Sequence, residues 1–166
     1  VIVADTSAIV ALLDRDDRHH QVLRSAFEAH LHEWILPWAI LPEVDYIVHT
    51  RLGVEAARAF RQDVAEGTFT IGWSEDADLR RAVELDQTYS DLSLGLVDGV
   101  VMAMAEKLEA RAIATLDVRD FGAVELKGGR TSGPGISRDR VAPAPTPKPP
   151  PLRRQRPRPT APPPAR

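Results

Sequence analysis

The chain has 166 residues, 24 of them acidic and 21 basic, for a net charge of −3, and it contains no cysteine. Disulfides, thiolate catalysis and cysteine-ligated zinc are therefore excluded, and no apolar run approaches the roughly 18 residues that span a bilayer. The charge is unevenly placed: residues 1–126 hold 11 basic and 23 acidic residues, a net of −12, whereas residues 127–166 hold ten basic residues and one acid, a net of +9.

Val1–Ala4 is apolar on both faces and predicts a buried strand. It is too short before Asp5, and lacks the cleavage-site pattern, to be a signal peptide; the cytoplasm is the default compartment. Thr6–Leu13 predicts a short helix and Asp17–His32 a second, on the spacing of Val22, Ala26, Phe27 and Leu31. Ile35-Leu36 reads as a short strand closed by Pro37. Pro42 suits the first turn of a helix over Glu43–Arg51 that stops at Gly53, and Gly53–Glu66 follows as another. Thr68–Trp73 reads as a strand and Asp76–Gln87 as a helix. Leu94–Glu109 carries an apolar stripe of Leu94, Val97, Val101, Ala105 and Leu108, with Ser93 as its expected N-cap. Arg111–Thr115 is the next strand, and Val124–Leu126 a last short one.

Periodicity then disappears. Of 14 prolines only Pro37 and Pro42 precede residue 130. Residues 1–126 are expected to form one compact domain, and residues 127–166 a Pro/Arg-rich disordered tail. Strands alternating with helices predict an α/β domain with a mainly parallel sheet and right-handed crossovers.

Four acids stand where these elements end or begin. Asp5 follows the first strand; it can serve as a helix N-cap, and it also lies at the carboxyl edge of a parallel strand, where α/β sheets gather their sites. Glu43 opens a helix, where the macrodipole favours an acid. Asp45 competes with it but points about 200° away, so both cannot face one site. Asp98 lies inside an apolar stripe, where a solvated-face explanation fits badly, and Gly99 beside it permits close approach of backbone or ligand. Asp117 follows the Arg111–Thr115 strand, with Asp120 as the alternative fourth acid. Thr6, Ser7 and Thr115 are placed to orient carboxylates or water. Clustered carboxylates repel unless a cation binds them, and an all-oxygen set suits Mg2+ or Mn2+ rather than zinc. His19 and His20 diverge, as do His30 and His32, and His49 is isolated.

The segments Val3-Ala4-Asp5-Thr6-Ser7-Ala8, Leu41-Pro42-Glu43-Val44-Asp45-Tyr46, Leu92-Ser93-Leu94-Gly95-Leu96-Val97-Asp98 and Ile113-Ala114-Thr115-Leu116-Asp117 resemble, in order and spacing, the PIN-domain ribonucleases, specifically VapC-type toxins of bacterial toxin–antitoxin pairs. The resemblance runs from Val1 to about Leu126. It implies a PIN-like three-layer fold and an acidic cluster of Asp5, Glu43, Asp98 and Asp117. It also implies an Mg2+- or Mn2+-dependent endoribonuclease that cuts structured RNA, such as transfer or ribosomal RNA, and so inhibits translation. A cognate VapB-type antitoxin and a homodimer are implied as partners, and no membrane. Residues 127–166 and the initial Val depart from the family pattern.

On that reading Arg15, Arg18, Arg51 and Arg119 are candidate phosphate contacts, and Arg153-Arg154-Gln155-Arg156 adds sequence-independent attraction. Two alternatives stand beside it: a non-catalytic RNA-binding or regulatory module, and a small-molecule phosphatase with Asp5 as nucleophile. The second lacks the further Asp two residues on that common aspartyl-phosphate hydrolases use. Trp34, Trp38 and Trp73 read equally as core or interface.

Overall fold

The computed structural model describes residues 1–92, 94–123, 125–126 and 130–131. Its elements in chain order are β1 (Ile2–Ala4), α1 (Thr6–Leu13), α2 (His20–Ala29), β2 (Trp34–Pro37), a 3-10 turn (Trp38–Ile40), α3 (Leu41–Leu52), α4 (Val54–Ala65), β3 (Thr70–Gly72), α5 (Asp76–Thr88), α6 (Leu96–Lys107), β4 (Ala112–Ala114), α7 (Val118–Ala123), β5 (Glu125–Leu126) and β6 (Arg130–Thr131).

The central sheet has the order β3-β2-β1-β4, with every neighbouring pair parallel. The chain therefore steps outward from β1 to β2 to β3, then returns past β1 to add β4 on the other side. Right-handed crossovers place the outward and return connections on opposite faces. The helix contacts agree: α1 packs on α2 and α3, α3 on α4, and α5 on α6. This is the α/β layered architecture expected of a PIN-like fold. The direction of winding reverses between β1 and β4, and such a switch point opens a crevice at the carboxyl ends of the strands.

Both faces of the sheet are covered, which is why β1, β2 and β4 are apolar throughout rather than alternating; the edge strand β3 opens with the exposed Thr70. Val3, Ala4, Leu36 and Ala114 are fully buried, as are Ile9 of α1, Val44 and Val48 of α3, and Val101 and Met102 of α6. Trp34 is also core, meeting the Phe27 ring edge-on at 5.4 Å. Removing a side chain such as Leu36 to Ala would cost about 2–5 kcal/mol.

Helix α5 is tied to α6 by a two-pronged ion pair, Arg81 Nε and one terminal nitrogen to the two oxygens of Glu106 at 2.7 and 2.9 Å. Close approach makes this possible. A Cβ on Gly99 would lie 2.9 Å from Ala82 Cβ and 3.1 Å from its backbone. Gly99 thus admits the neighbouring helix, not a ligand.

Several boundaries differ from those expected. Helix α2 begins at His20, because Asp14–Asp17 turns before it. Helix α6 begins at Leu96 with Gly95 as N-cap, two residues later than expected; Ser93, the cap read from sequence, lies outside the described residues. Helix α7 was not foreseen. The last short strand joins no central strand but pairs antiparallel with β6. This pairing runs past the boundary drawn at residue 126. Apart from Arg130 and Thr131, the segment expected to be a disordered tail lies outside the described residues, as does Val124.

Candidate active site

Strand β1 ends at Ala4, and the chain turns directly into α1 with Asp5 as the N-cap. Asp5 is 5% exposed. Its Oδ2 accepts from the Ser7 amide at 3.3 Å, the Ser7 hydroxyl at 2.6 Å and the Thr115 hydroxyl at 2.9 Å. Among the described residues Oδ1 accepts no hydrogen bond, so one oxygen is anchored and the other is available. The capping and site roles weighed for Asp5 coincide in one side chain.

Strand β4 delivers the other half of the crevice. The Asp5 amide donates to Ala114 O at 2.9 Å, extending the β1–β4 ladder by one step. Beyond it, the Leu116 amide donates to Ser7 Oγ at 2.9 Å and the Asp117 amide to Thr115 Oγ1 at 3.0 Å. Two hydroxyls thereby fix the turn that carries Asp117. Asp117 in turn accepts from the Asp120 amide at 3.2 Å, starting α7.

Glu43 reaches the same place from α3, where its Oε2 accepts from the Thr6 hydroxyl. Asp98 comes from the first turn of α6, and its Oδ2 reaches back to the Gly95 amide at 3.0 Å. The delayed start of α6 makes Asp98 a first-turn acid rather than one set within a helical stripe. Its pKa is nonetheless raised above the ordinary aspartate value. Burial is the largest cause; the Gly95 hydrogen bond opposes it, and the charges of Asp5, Glu43 and Asp117 add to it. All four acids therefore share one electrostatic field.

They line a single cavity of about 320 Å³ with Asp17, Arg51 and the apolar Val10, Ile47 and Leu116. Five carboxylates face one guanidinium among the described lining residues. No three of the described acids or histidines converge closely enough to enclose an ion by themselves. Oxygen donors that partly surround a cavity match the way hydrated Mg2+ is held, through one or two carboxylates and several waters. The residues that could hold such an ion are Asp5, Asp98, Glu43 and Asp117.

Residues 2–126 match the family described as PIN domain. The chain belongs to the PIN domain family. It is 28% identical over 128 residues to "Ribonuclease VapC26" of Mycobacterium tuberculosis, covering 77% of this chain and 95% of the relative. Its fold is similar to that of VapC20 of Mycobacterium tuberculosis, described as a sarcin-ricin loop cleaving toxin, with a TM-score of 0.66 and 18% identity over 72% of this chain and 92% of that one. FitAcB from Neisseria gonorrhoeae is similar at a TM-score of 0.57 and 17% identity, over 73% and 91% of the two chains.

In this PIN domain the competing acids separate cleanly. Asp45 turns away from the cavity and pairs with Arg61 at 2.7 Å. Asp120 does not line the cavity; its Oδ1 lies 3.7 Å from Arg119 Nε. Of the four arginines singled out in sequence, Arg51 lines the cavity and Arg15, Arg18 and Arg119 do not. Asp17 does so without having been singled out: it read as the start of a helix, but it sits in the preceding turn and accepts from the His19 amide at 2.7 Å. The run Asp14-Arg15-Asp16-Asp17 was the available signal, since such polar clusters mark turns.

Proposed function

We propose that this PIN domain is an Mg2+- or Mn2+-dependent endoribonuclease that cuts structured RNA, transfer or ribosomal, and so inhibits translation. One observation carries the reading: Asp5, Glu43, Asp98 and Asp117 meet around one cavity at the switch point of a parallel sheet, and burial, with the charges of the other three adding to it, raises the pKa of Asp98. Similarity to the ribonuclease VapC26 supports it, and the description of VapC20 as a sarcin-ricin loop cleaving toxin supports a ribosomal target.

Asp5 and Asp98 would hold the ion, with Glu43 and Asp117 holding it directly or through water. A divalent ion bound there would supply Lewis-acid chemistry, activating water and offsetting charge on the departing oxygen. Ser7 and Thr115 keep Asp5 Oδ2 fixed, which holds the carboxylate in one orientation and leaves Oδ1 available. Thr6 does the same for Glu43. Arg51 offsets part of the acidic field and offers a phosphate contact.

A cognate antitoxin of the VapB type covering this edge, a homodimeric assembly and a cytoplasmic location complete the proposal. No helix of the described residues is long and apolar enough to cross a membrane.

The test is incubation of purified protein with total cellular RNA in Mg2+, in Mn2+ and in chelator, beside Asp98→Asn. Discrete metal-dependent fragments, absent with the variant, are expected. Absence of cleavage by folded, metal-loaded, antitoxin-free protein would discard the catalytic reading.

A further inference from the structure

We propose that Trp38 and Trp73 form a stacking platform for unpaired bases of the RNA held at the acidic cavity, an inference that rests on the ribonuclease reading above. Strands β2 and β3 end in register, Pro37 opposite Gly72. Trp38 and Trp73 are the next residue on each. Their rings lie 6.3 Å apart with 17° between the planes, the offset parallel arrangement that aromatic pairs favour. Yet Trp38 is 41% exposed and Trp73 72%, whereas Trp34 is 1% exposed in the core. The two indoles form a stacked apolar pair that is left partly open to water, Trp73 more than Trp38.

The position of the pair gives it meaning. Strand β2 is the neighbour of β1, so both indoles stand on the same carboxyl edge as Asp5 and Thr115. The pairing of Val3 with Ile35, continued along the strands, sets Asp5 level with Pro37 and Trp38 one residue beyond. Neighbouring strands are about 4.8 Å apart, so the strands that carry the indoles stand roughly 5–10 Å to the side of Asp5, about the reach of one or two nucleotides.

Charge explains why such a surface would be useful. Residues 1–126 carry a net of −12, so this domain gains little from the phosphate attraction that usually dominates RNA affinity. Stacking needs no charge, and it accepts any base because every base has a π-face. It also selects strands whose bases are unpaired, since a duplex keeps its base faces internal. The substrate class is thus a single-stranded loop or end, with bases flanking the cut lying on the indoles.

The test uses the full chain carrying Asp98→Asn in Mg2+, titrated with a short 2′-O-methyl oligoribonucleotide, single-stranded or duplex, and followed by tryptophan emission. The single strand should quench emission and bind tighter than the duplex. Trp73→Ala should weaken single-strand binding about tenfold, within the range that stacking residues show. Trp73→Phe should retain most of the affinity and Trp73→Leu should not. Emission from buried Trp34 reports that each variant is folded. Unchanged affinity in both Trp73→Ala and Trp38→Ala overturns the platform. So does a shift from dimer to monomer at unchanged affinity, which would assign the pair to contact with a second copy. Wild-type cleavage of total RNA, run alongside, separates the two claims. Cleavage with Trp-independent binding removes the platform alone; neither cleavage nor binding removes the ribonuclease reading with it.

Discussion

The Thr115 hydroxyl donates a 2.9 Å hydrogen bond to Asp5 Oδ2 across 110 positions of sequence. The same Thr115 oxygen accepts from the Asp117 amide, so one side chain sets the geometry of two candidate ligands. Thr115→Val keeps the shape and removes both bonds. Groups that orient metal ligands typically contribute 10–100-fold to affinity or activity. A drop of about that size in Mn2+ affinity is expected, with the circular dichroism spectrum unchanged; wild-type affinity would show that the hydroxyl positions nothing.

The raised pKa of Asp98 makes a statement about stability. The native state holds the Asp98 proton more tightly than the unfolded chain does, whose ordinary value is 3.8. Stability from this group is therefore full below that value and is lost as pH rises through the folded-state pKa. Asp98→Asn removes the buried charge, and its amide oxygen can still accept from the Gly95 amide. In chelator at pH 7 the variant should melt on the order of a few degrees above the parent, although it is expected to be inactive. The gap should narrow as pH falls toward 3.8. A variant that melts at or below the parent at pH 7 would contradict this account.

Gly99 supplies a purely structural prediction. Ala is the better helix former by about 1 kcal/mol, but at this position its Cβ would meet Ala82 backbone atoms at 3.1 Å, which cannot rotate aside. Gly99→Ala should therefore destabilise by about 1–3 kcal/mol, measured by urea unfolding. A neutral or stabilising result would mean that α5 and α6 separate more easily than their packing implies.

Arg51 and Arg119 can be set against each other. Arg51 lines the cavity, whereas the Arg119 side chain is 86% exposed. Arg51→Gln should weaken RNA binding and lower the slope of log affinity against log salt by about 1, and Arg119→Gln should leave the slope unchanged. Equal slopes in the two variants would remove Arg51 from the phosphate path.

How much of this was legible depended on where each residue sits. Asp5 and Asp117 were readable because an apolar run followed by an acid marks the end of a buried parallel strand. The choice between Glu43 and Asp45 followed from helical geometry alone, and Arg61 now accounts for Asp45. Asp98 stands out in sequence by its place in an apolar stripe, but Leu94 is buried ahead of α6, so that stripe is longer than the helix that carries Asp98. Asp17 sits in a turn, and only tertiary folding brings a turn to a cavity. Helix α7 is six residues long with Gly122 inside it, too short and too weak in propensity to read; the Asp117 cap and the burial of Phe121 hold it. The stacking of Trp38 on Trp73 depends on the register of β2 against β3, which local sequence does not specify.

The strand order has a consequence in time. Asp5 leaves the ribosome well before the strand that completes its surroundings, Ala112–Ala114, which is made near the end of the domain. At about 5–20 residues per second, the nascent chain spends several seconds with its first acid in place and no Thr115, Asp98 or Asp117 beside it. A site closed by the last strand to join the central sheet is assembled only when the domain is almost whole, so any activity it carries is withheld through most of its own synthesis.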